Sequence, residues 1–164
     1  MKRGARRQLW LGLAVAALLA AAWWQVRSDQ QAAPGTLLPL QPGQITHIAV
    51  ESAKAPAEHY VKRGAHWWRI DQATAERADD RRLEELARIA AAPVQSWQPA
   101  SHFEPSKIGL SPPQATLRLD GETLRFGGPT AIGRNVYVQA GERIGIVSLR
   151  YMPRSAQSQT IQAQ

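Results

Sequence analysis

The chain has 164 residues and a formal net charge of +7, with 20 Lys and Arg residues against 13 Asp and Glu, and it contains no cysteine. The lack of cysteine excludes a disulfide framework and a thiolate metal site. Four basic residues precede the first apolar segment, so 16 basic and 13 acidic residues remain after it. Because these charges alternate along the chain and form no basic stripe, we expect no nucleic-acid partner.

An uncharged apolar segment lies close to the N-terminus. Residues 9–26 supply 18 residues without charge or proline, close to the roughly 20 that a helix needs to cross a bilayer core. Four basic residues lie within residues 1–8, and only Arg27 follows closely on the other side. This asymmetry predicts a single-pass inner-membrane anchor at 9–26, with 1–8 in the cytoplasm and the rest in the periplasm.

The same segment also fits a cleavable secretory signal. It has a basic start, an apolar stretch of 14 residues at 9–22 and a run of small residues at Ala20–Ala22. Trp23 and Trp24 favour retention in the membrane, because indole rings prefer the interface between lipid and water. Under either reading, the remainder of the chain is exported.

Residues 27–44 are predicted to form a linker. Three prolines and two glycines fall within the ten residues 34–43, a composition that resists regular structure. Leu37, Leu38 and Leu40 are expected to dock on the folded domain or on the membrane interface. The domain itself is predicted at 45–152, and 153–164 is predicted to be a disordered tail, because its composition of Ser, Gln and Ala gives it little to bury.

The domain begins with patterns typical of strands. Residues 45–51 are rich in β-branched side chains, and 53–57, with Pro56, read as a turn. Gly64-Ala65 predicts a tight hairpin between 58–63 and 66–71. A two-residue loop pairs Val61 with Trp68, and on this basis we place Trp68 in the core and Trp67 toward the surface.

One soluble helix is predicted over residues 78–92, where Pro93 stops it. Asp79 or Asp80 is expected to cap its first free N–H groups. The apolar positions at helical spacing, which should face the sheet, are Leu83, Leu86, Ala87 and Ala90. On the solvent-exposed face, ion pairs at i,i+4 spacing are expected between Arg81 and Glu85 and between Glu84 and Arg88. A short strand is expected at 94–97.

Two further hairpins follow. Asp120-Gly121 is a preferred type I′ pair, and it predicts that 115–119 pairs with 122–126, with a loop at 127–133. The third hairpin joins Asn135–Ala140 to Arg143–Ser148, and apolar side chains on both of its faces suggest a central position. The predicted fold is α+β: an N-terminal transmembrane helix, then a small, mostly antiparallel sheet of hairpins with one packed helix.

The order of these landmarks resembles a known bacterial family. The landmarks are Ile45–Ile48, Trp67-Trp68, the leucine-bearing helix, Gly109-Leu110-Ser111-Pro112-Pro113, Phe126-Gly127-Gly128 and Val136–Val138. Over residues 40 to 150 the chain resembles the domain of unknown function DUF4340. The resemblance implies an envelope-facing domain, often tethered by one helix and linked to auxiliary parts of ABC-type export or gliding systems. It implies no catalytic residues.

No catalytic, cofactor-binding or metal-binding residues are predicted, and we expect no enzyme activity. The histidines His47, His59, His66 and His102 stand in no metal-ligand motif. The serines lack a Gly-x-Ser-x-Gly elbow, and helix capping is the better explanation of Asp79-Asp80. A catalytic triad assembled from distant segments stays open at this stage.

A candidate partner surface is formed by Trp67, Trp97, Pro112 and Pro113. An exposed proline pair beside a tryptophan could dock a partner, although two prolines and Gly109 also suffice to fix a turn before the Ala115 strand. The favoured function is a membrane-anchored periplasmic domain without catalysis, which binds an envelope protein as an interaction or auxiliary subunit of an ABC-type transport system. The alternative is an envelope small-molecule or polymer binding domain, or a weak hydrolase, that uses its tryptophans for stacking.

Overall fold

A computed structural model describes residues 35–53 and 55–154. The predicted cytoplasmic segment and anchor, residues 27–34 of the linker and residues 155–164 of the tail lie outside this part of the chain. In the part that is described, no helix is long and apolar enough to cross a membrane.

The described residues form one antiparallel sheet of nine strands and one α-helix, which confirms the predicted sheet with a packed helix. The strands are β1 (His47–Ser52), β2 (Ala55–Arg63), β3 (His66–Arg69), β4 (Glu76–Arg77), β5 (Ser96–Pro99), β6 (Ala115–Leu119), β7 (Glu122–Pro129), β8 (Asn135–Ala140) and β9 (Arg143–Ser148). Their order across the sheet is β4-β3-β2-β1-β6-β7-β8-β9-β5. The helix α1 (Asp80–Arg88) covers one face, in contact with β1 and β3.

The hairpin of β6 and β7 has the predicted register. Leu117 pairs with Leu124, and the turn residues Asp120 and Gly121 have φ angles of 46° and 95°. Both values are positive, as a type I′ turn requires. Strand β7 continues to Pro129, so the loop predicted at 127–133 starts too early. The extension pairs Pro129 with Val136 of β8.

In the hairpin of β2 and β3 the register is as predicted, but the assignment of faces is wrong. Val61 pairs with Trp68 and Lys62 pairs with Trp67, whereas the buried residues are Tyr60 and Trp67, at 3% and 1% exposure. Trp68 is only half-buried. The face that carries Tyr60 and Trp67 is covered by α1, and alternation along a hairpin does not say which face a distant helix will cover. The predicted turn at 53–57 is also shorter, because β2 starts at Ala55.

Helix α1 follows the predicted pattern with shorter bounds. Asp79 is the N-cap, and its carboxylate accepts hydrogen bonds from the amides of Arg81 and Arg82. After Arg88 the chain tightens into a 3₁₀ turn at Ile89–Ala91 before Pro93. The four predicted core positions are all buried: Leu83, Leu86, Ala87 and Ala90. Both predicted ion pairs form, at 3.4 Å for Arg81 with Glu85 and 3.8 Å for Arg88 with Glu84.

The folded domain begins earlier than the predicted boundary at residue 45. Leu37 and Leu38 are 3% and 4% exposed, and they belong to the same core as α1 and the sheet. Their amides donate hydrogen bonds to the carbonyls of Ala92 and Ala90, at 3.1 and 2.9 Å. The expected docking of these leucines on the domain is therefore confirmed, and residues 35–44 are part of the domain.

The hairpin of β8 and β9 lies inside the sheet, between β7 and β5, with the predicted strand bounds. One face carries Val136, Val138 and Val147 into the main core. The other face is covered by the segment between β5 and β6, where the ring of Phe103 meets that of Tyr137 edge-on, with 5.8 Å between centroids. This second cover explains why both faces are apolar.

Candidate functional site

The structure does not bring the predicted partner surface together. Trp67 is buried in the core, so its predicted place on the surface is wrong. Trp97 is half-buried on β5, and the guanidinium carbon of Arg143 lies 4.5 Å from its ring centroid. Six strands separate β3, which carries Trp67, from β5. The two tryptophans therefore cannot line one stacking site.

The proline pair belongs to a turn that the glycine motifs hold in place. Gly109 has a φ of 71°, and a Cβ atom at this position would lie 2.6 Å from the amide nitrogen of Gly128. The Gly128 amide donates a hydrogen bond of 2.8 Å to the carbonyl of Ile108. The peptide bond between Ser111 and Pro112 is cis. The segments 109–113 and 126–128, which both contribute to the family resemblance, are therefore in contact. This contact gives the glycines of both segments a structural role.

A groove that the sequence patterns did not indicate lies between α1 and the segment after β9. Its volume is about 400 Å³, and we call it the arginine-rimmed groove. Its lining combines four arginines, one carboxylate, one tyrosine and three apolar side chains: Arg82, Glu85, Leu86, Arg88, Ile89, Arg150, Tyr151, Met152 and Arg154. Leu86 and Ile89 are each 5% exposed, so the apolar residues lie beneath the charged ones.

Local structure explains how each wall of the groove forms. Positions 82, 85, 86 and 89 recur at helical spacing, so α1 and the 3₁₀ turn that continues it present them along one side. The opposite wall is a 3₁₀ turn at Leu149–Tyr151, and the Leu149 amide donates to the carbonyl of Arg134 at 2.8 Å. Tyr151 and Met152 pack partly against the main core. Pro153 is buried and Arg154 lines the groove, so the first two residues of the predicted tail 153–164 belong to the domain.

Arg82 anchors the two walls to each other. Its Nη2 lies 2.7 Å from Glu58 Oε2 and 3.0 Å from the carbonyl oxygen of Arg154, and its Nη1 lies 2.8 Å from the Tyr60 hydroxyl. The side chains of Arg82 and Glu58 are 8% and 3% exposed. Burial raises the pKa of Tyr60, and its hydroxyl donates to Glu58 at 2.9 Å. Since Glu58 neutralises Arg82, this arginine supports the groove and does not supply its free charge.

The free positive charge comes from three arginines at the rim. In the described part of the chain, neither Arg150 nor Arg154 forms an ion pair with a carboxylate, and both are exposed. Arg88 pairs with Glu84 at 3.8 Å, but both side chains are more than half exposed, and such a surface pair is weak. The Arg150 guanidinium carbon lies 4.6 Å from the Tyr151 ring centroid, a cation–π contact that holds it at the groove. The groove therefore suits an anion with an apolar portion.

The start of the described chain is hydrogen-bonded to the segment that follows the helix wall of the groove. The Val94 amide donates to the carbonyl of Gly35 at 3.0 Å, and the Gln95 amide donates to that of Ile146 at 2.8 Å. Ile146 precedes Arg150 by four residues. On the helix side, Ala90 accepts from Leu38 and directly follows Ile89 of the groove lining. Residues 35–38 thus lie beside the helix wall of the groove.

A second polar cluster, formed by Thr46, His47 and Asp120, has the residue types of a catalytic triad but not the geometry. Thr46 Oγ1 lies 2.9 Å from His47 Nδ1, and Asp120 Oδ1 lies 3.5 Å from the same nitrogen. A working triad places the nucleophile and the carboxylate on opposite ring nitrogens. Desolvation acts to raise the pKa of Asp120, but hydrogen bonds from the His47 and Thr46 amides and the Thr46 hydroxyl hold it below its usual value. These contacts make Asp120 an anchor of the hairpin turn.

His66 is part of a third cluster, at the start of α1. Its Nδ1 lies 2.8 Å from Asp80 Oδ2, which also accepts from Arg77 at 2.7 Å. Asp80 Oδ1 accepts from the Trp67 amide at 2.7 Å. These donors, the Trp67 amide foremost, lower the pKa of Asp80 well below its ordinary range. Within residues 35–53 and 55–154, no group of His, Asp and Glu could hold a metal ion.

No protein-family model, no curated protein and no solved structure matches the chain.

Proposed function

We propose that this protein is a membrane-anchored domain of the bacterial envelope that binds another envelope component and does not catalyse a reaction. Residues 9–26 hold it in the inner membrane, and the domain from residue 35 onward lies in the periplasm. The family resemblance suggests that its partner is a protein of an ABC-type transport system, for which it acts as an auxiliary subunit.

The composition of the arginine-rimmed groove supports binding rather than catalysis. Arginine stays protonated at physiological pH, so it holds anions but does not act as a base or nucleophile. Glu85 is the carboxylate of the lining, and it lies 3.4 Å from Arg81 rather than beside a nucleophile. The alternative of a stacking site with hydrolase activity loses its support, because Trp67 is buried and Trp97 is six strands away.

The membrane topology is tested with alkaline phosphatase, which is active only outside the cytoplasm, fused after Gln164. The fusion point is placed after Gln164 so that the domain stays whole. An earlier fusion point, such as Ser148, would remove Arg154, whose carbonyl accepts a hydrogen bond from Arg82. We expect phosphatase activity in cells and retention of the fusion in membranes after a carbonate wash. Activity together with release by the wash would support the cleaved signal instead, and the lack of activity would overturn export itself.

Partner binding is tested by purification from crosslinked membranes in mild detergent. We expect the same envelope protein to be enriched repeatedly with the full chain. The matched control is residues 1–34 carrying the same tag, which keeps the predicted anchor and lacks the domain. Repeated purifications in which the full chain retains nothing beyond this control would contradict the proposed role.

A further inference from the structure

The three rim arginines of the arginine-rimmed groove, Arg88, Arg150 and Arg154, have the chemistry that recognises a phosphate group. A guanidinium donates two parallel hydrogen bonds to phosphate oxygens and is more weakly hydrated than an ammonium group. Arg150 and Arg154 have no carboxylate partner in the described part of the chain, and the partner of Arg88 is 3.8 Å away. Beneath them, Leu86, Ile89 and Met152 offer apolar contacts. A ligand with a phosphate next to a hydrocarbon portion satisfies both parts.

The groove lies close to the start of the folded domain, and the membrane in which the chain is proposed to be anchored is a source of such a ligand. Residues 35–38 lie beside the helix wall of the groove, because the Leu37 amide donates to Ala92, whose own amide donates to Ile89. Only eight residues, 27–34, separate residue 35 from the end of the predicted anchor. An extended chain of that length reaches at most about 28 Å. Under the proposed anchoring, the groove thus belongs to the end of the domain where the tether is attached.

We infer that the arginine-rimmed groove binds the phosphate headgroup of an anionic phospholipid in the membrane that anchors the chain. This inference rests on the proposed anchoring. Basic residues near an anionic membrane surface are attracted to its headgroups. Headgroup binding fixes which end of the domain faces the lipid, and it leaves the other end free for a partner.

The experiment uses the full chain in nanodiscs and exploits its lack of native cysteine. A polarity-sensitive fluorophore is attached at Glu85→Cys in the groove. The matched control is Glu142→Cys. Glu142 is exposed in the turn before β9, whereas Arg150 of the groove comes after β9, so the two residues flank opposite ends of that strand. Nanodiscs of phosphatidylcholine alone are compared with nanodiscs that also contain phosphatidylglycerol.

We expect phosphatidylglycerol to shift the emission of the Glu85→Cys label to shorter wavelength and to leave the Glu142→Cys label unchanged. The triple variant Arg88→Gln, Arg150→Gln, Arg154→Gln should lose most of that shift. The charge-matched triple variant Arg63→Gln, Lys107→Gln, Arg118→Gln should keep it. Glycerol phosphate in solution should reduce the shift by competition, because it carries the same phosphate group.

Three outcomes would overturn the inference. They are no dependence on phosphatidylglycerol, an equal loss in both triple variants, or a shift caused by an acidic peptide in phosphatidylcholine nanodiscs where phosphatidylglycerol causes none. The last outcome assigns the groove to a protein partner. Failure of the anchoring is separate, since a chain that elutes apart from nanodiscs of either composition contradicts the proposed function itself.

Discussion

Arg82 Nη2 lies 2.7 Å from Glu58 Oε2, although the two residues are 24 positions apart and on different elements. Both side chains are almost fully buried. Removal of one member leaves the other charged in an apolar setting, which typically costs about 3–5 kcal/mol. We therefore expect Arg82→Met to lower the free energy of unfolding by roughly that amount, measured by urea denaturation of the full chain in detergent.

The control for this prediction removes the whole polar cluster. The variant Glu58→Met, Tyr60→Phe, Arg82→Met removes both charges and the hydroxyl of the cluster together, so the loss should be smaller than in Arg82→Met alone. If the triple variant proves less stable than the single one, the cluster stabilises the fold by itself, and our account of it is wrong.

The inverted faces of the first hairpin give a second prediction. Trp67 is 1% exposed and Trp68 is half-buried. Trp67→Ala should cost about 3–5 kcal/mol of unfolding free energy, as is typical when a core aromatic is removed. Trp68→Ala should cost about 1 kcal/mol. Thermal unfolding of the two variants ranks them, and the reverse ranking would contradict the described faces.

Gly109 provides a third prediction with a control at Gly43. At Gly109 the φ of 71° and the 2.6 Å approach to the Gly128 nitrogen both oppose a side chain. Gly109→Ala should therefore lower the free energy of unfolding by about 2 kcal/mol or more. At Gly43 a Cβ atom would have no neighbour within 4 Å. Gly43→Ala should therefore change the free energy of unfolding by less than about 1 kcal/mol. Equal losses would show that the contact between the two glycine motifs is unimportant.

The fourth prediction concerns pH. The pKa of Asp80 is lowered by the Trp67 amide, then by Arg77 and His66. A carboxyl group with a lowered folded pKa stabilises the fold fully above its unfolded pKa of about 4. That contribution is lost as the pH falls from there through the lower folded pKa. Asp80→Asn keeps an acceptor for the Trp67 amide but does not titrate, so its stability should fall less steeply below pH 4. A matched substitution, Glu84→Gln on the exposed face of α1, should leave the acid slope unchanged.

Local features of the sequence predicted much of the fold. The turn at Asp120-Gly121 fixes the register of its hairpin, because both residues accept positive φ and alternation agrees on each side. The cap at Asp79 and the apolar face of α1 are equally local. By contrast, the choice between Trp67 and Trp68 depends on where α1 packs, which no pattern within the hairpin encodes.

The candidate site was not predictable for the same reason. Arg82 reads as one more charged residue of a helix surface, and its burial becomes visible only with Glu58 and Arg154 beside it. The groove joins residues 82–89 to 150–154 across more than 60 positions of sequence. The composition of 150–154, with two arginines among five residues, could have indicated a basic site, but it lies next to the predicted tail.

Strand β1 lies inside the sheet between β2 and β6, and β6 begins only at Ala115. Until Ala115–Leu119 arrive, one edge of β1 exposes unpaired backbone groups that invite association with other chains. Because a chain is synthesised from its N-terminus, β1 is available well before the strand that protects it. Completion of the sheet must therefore wait for the second half of the domain.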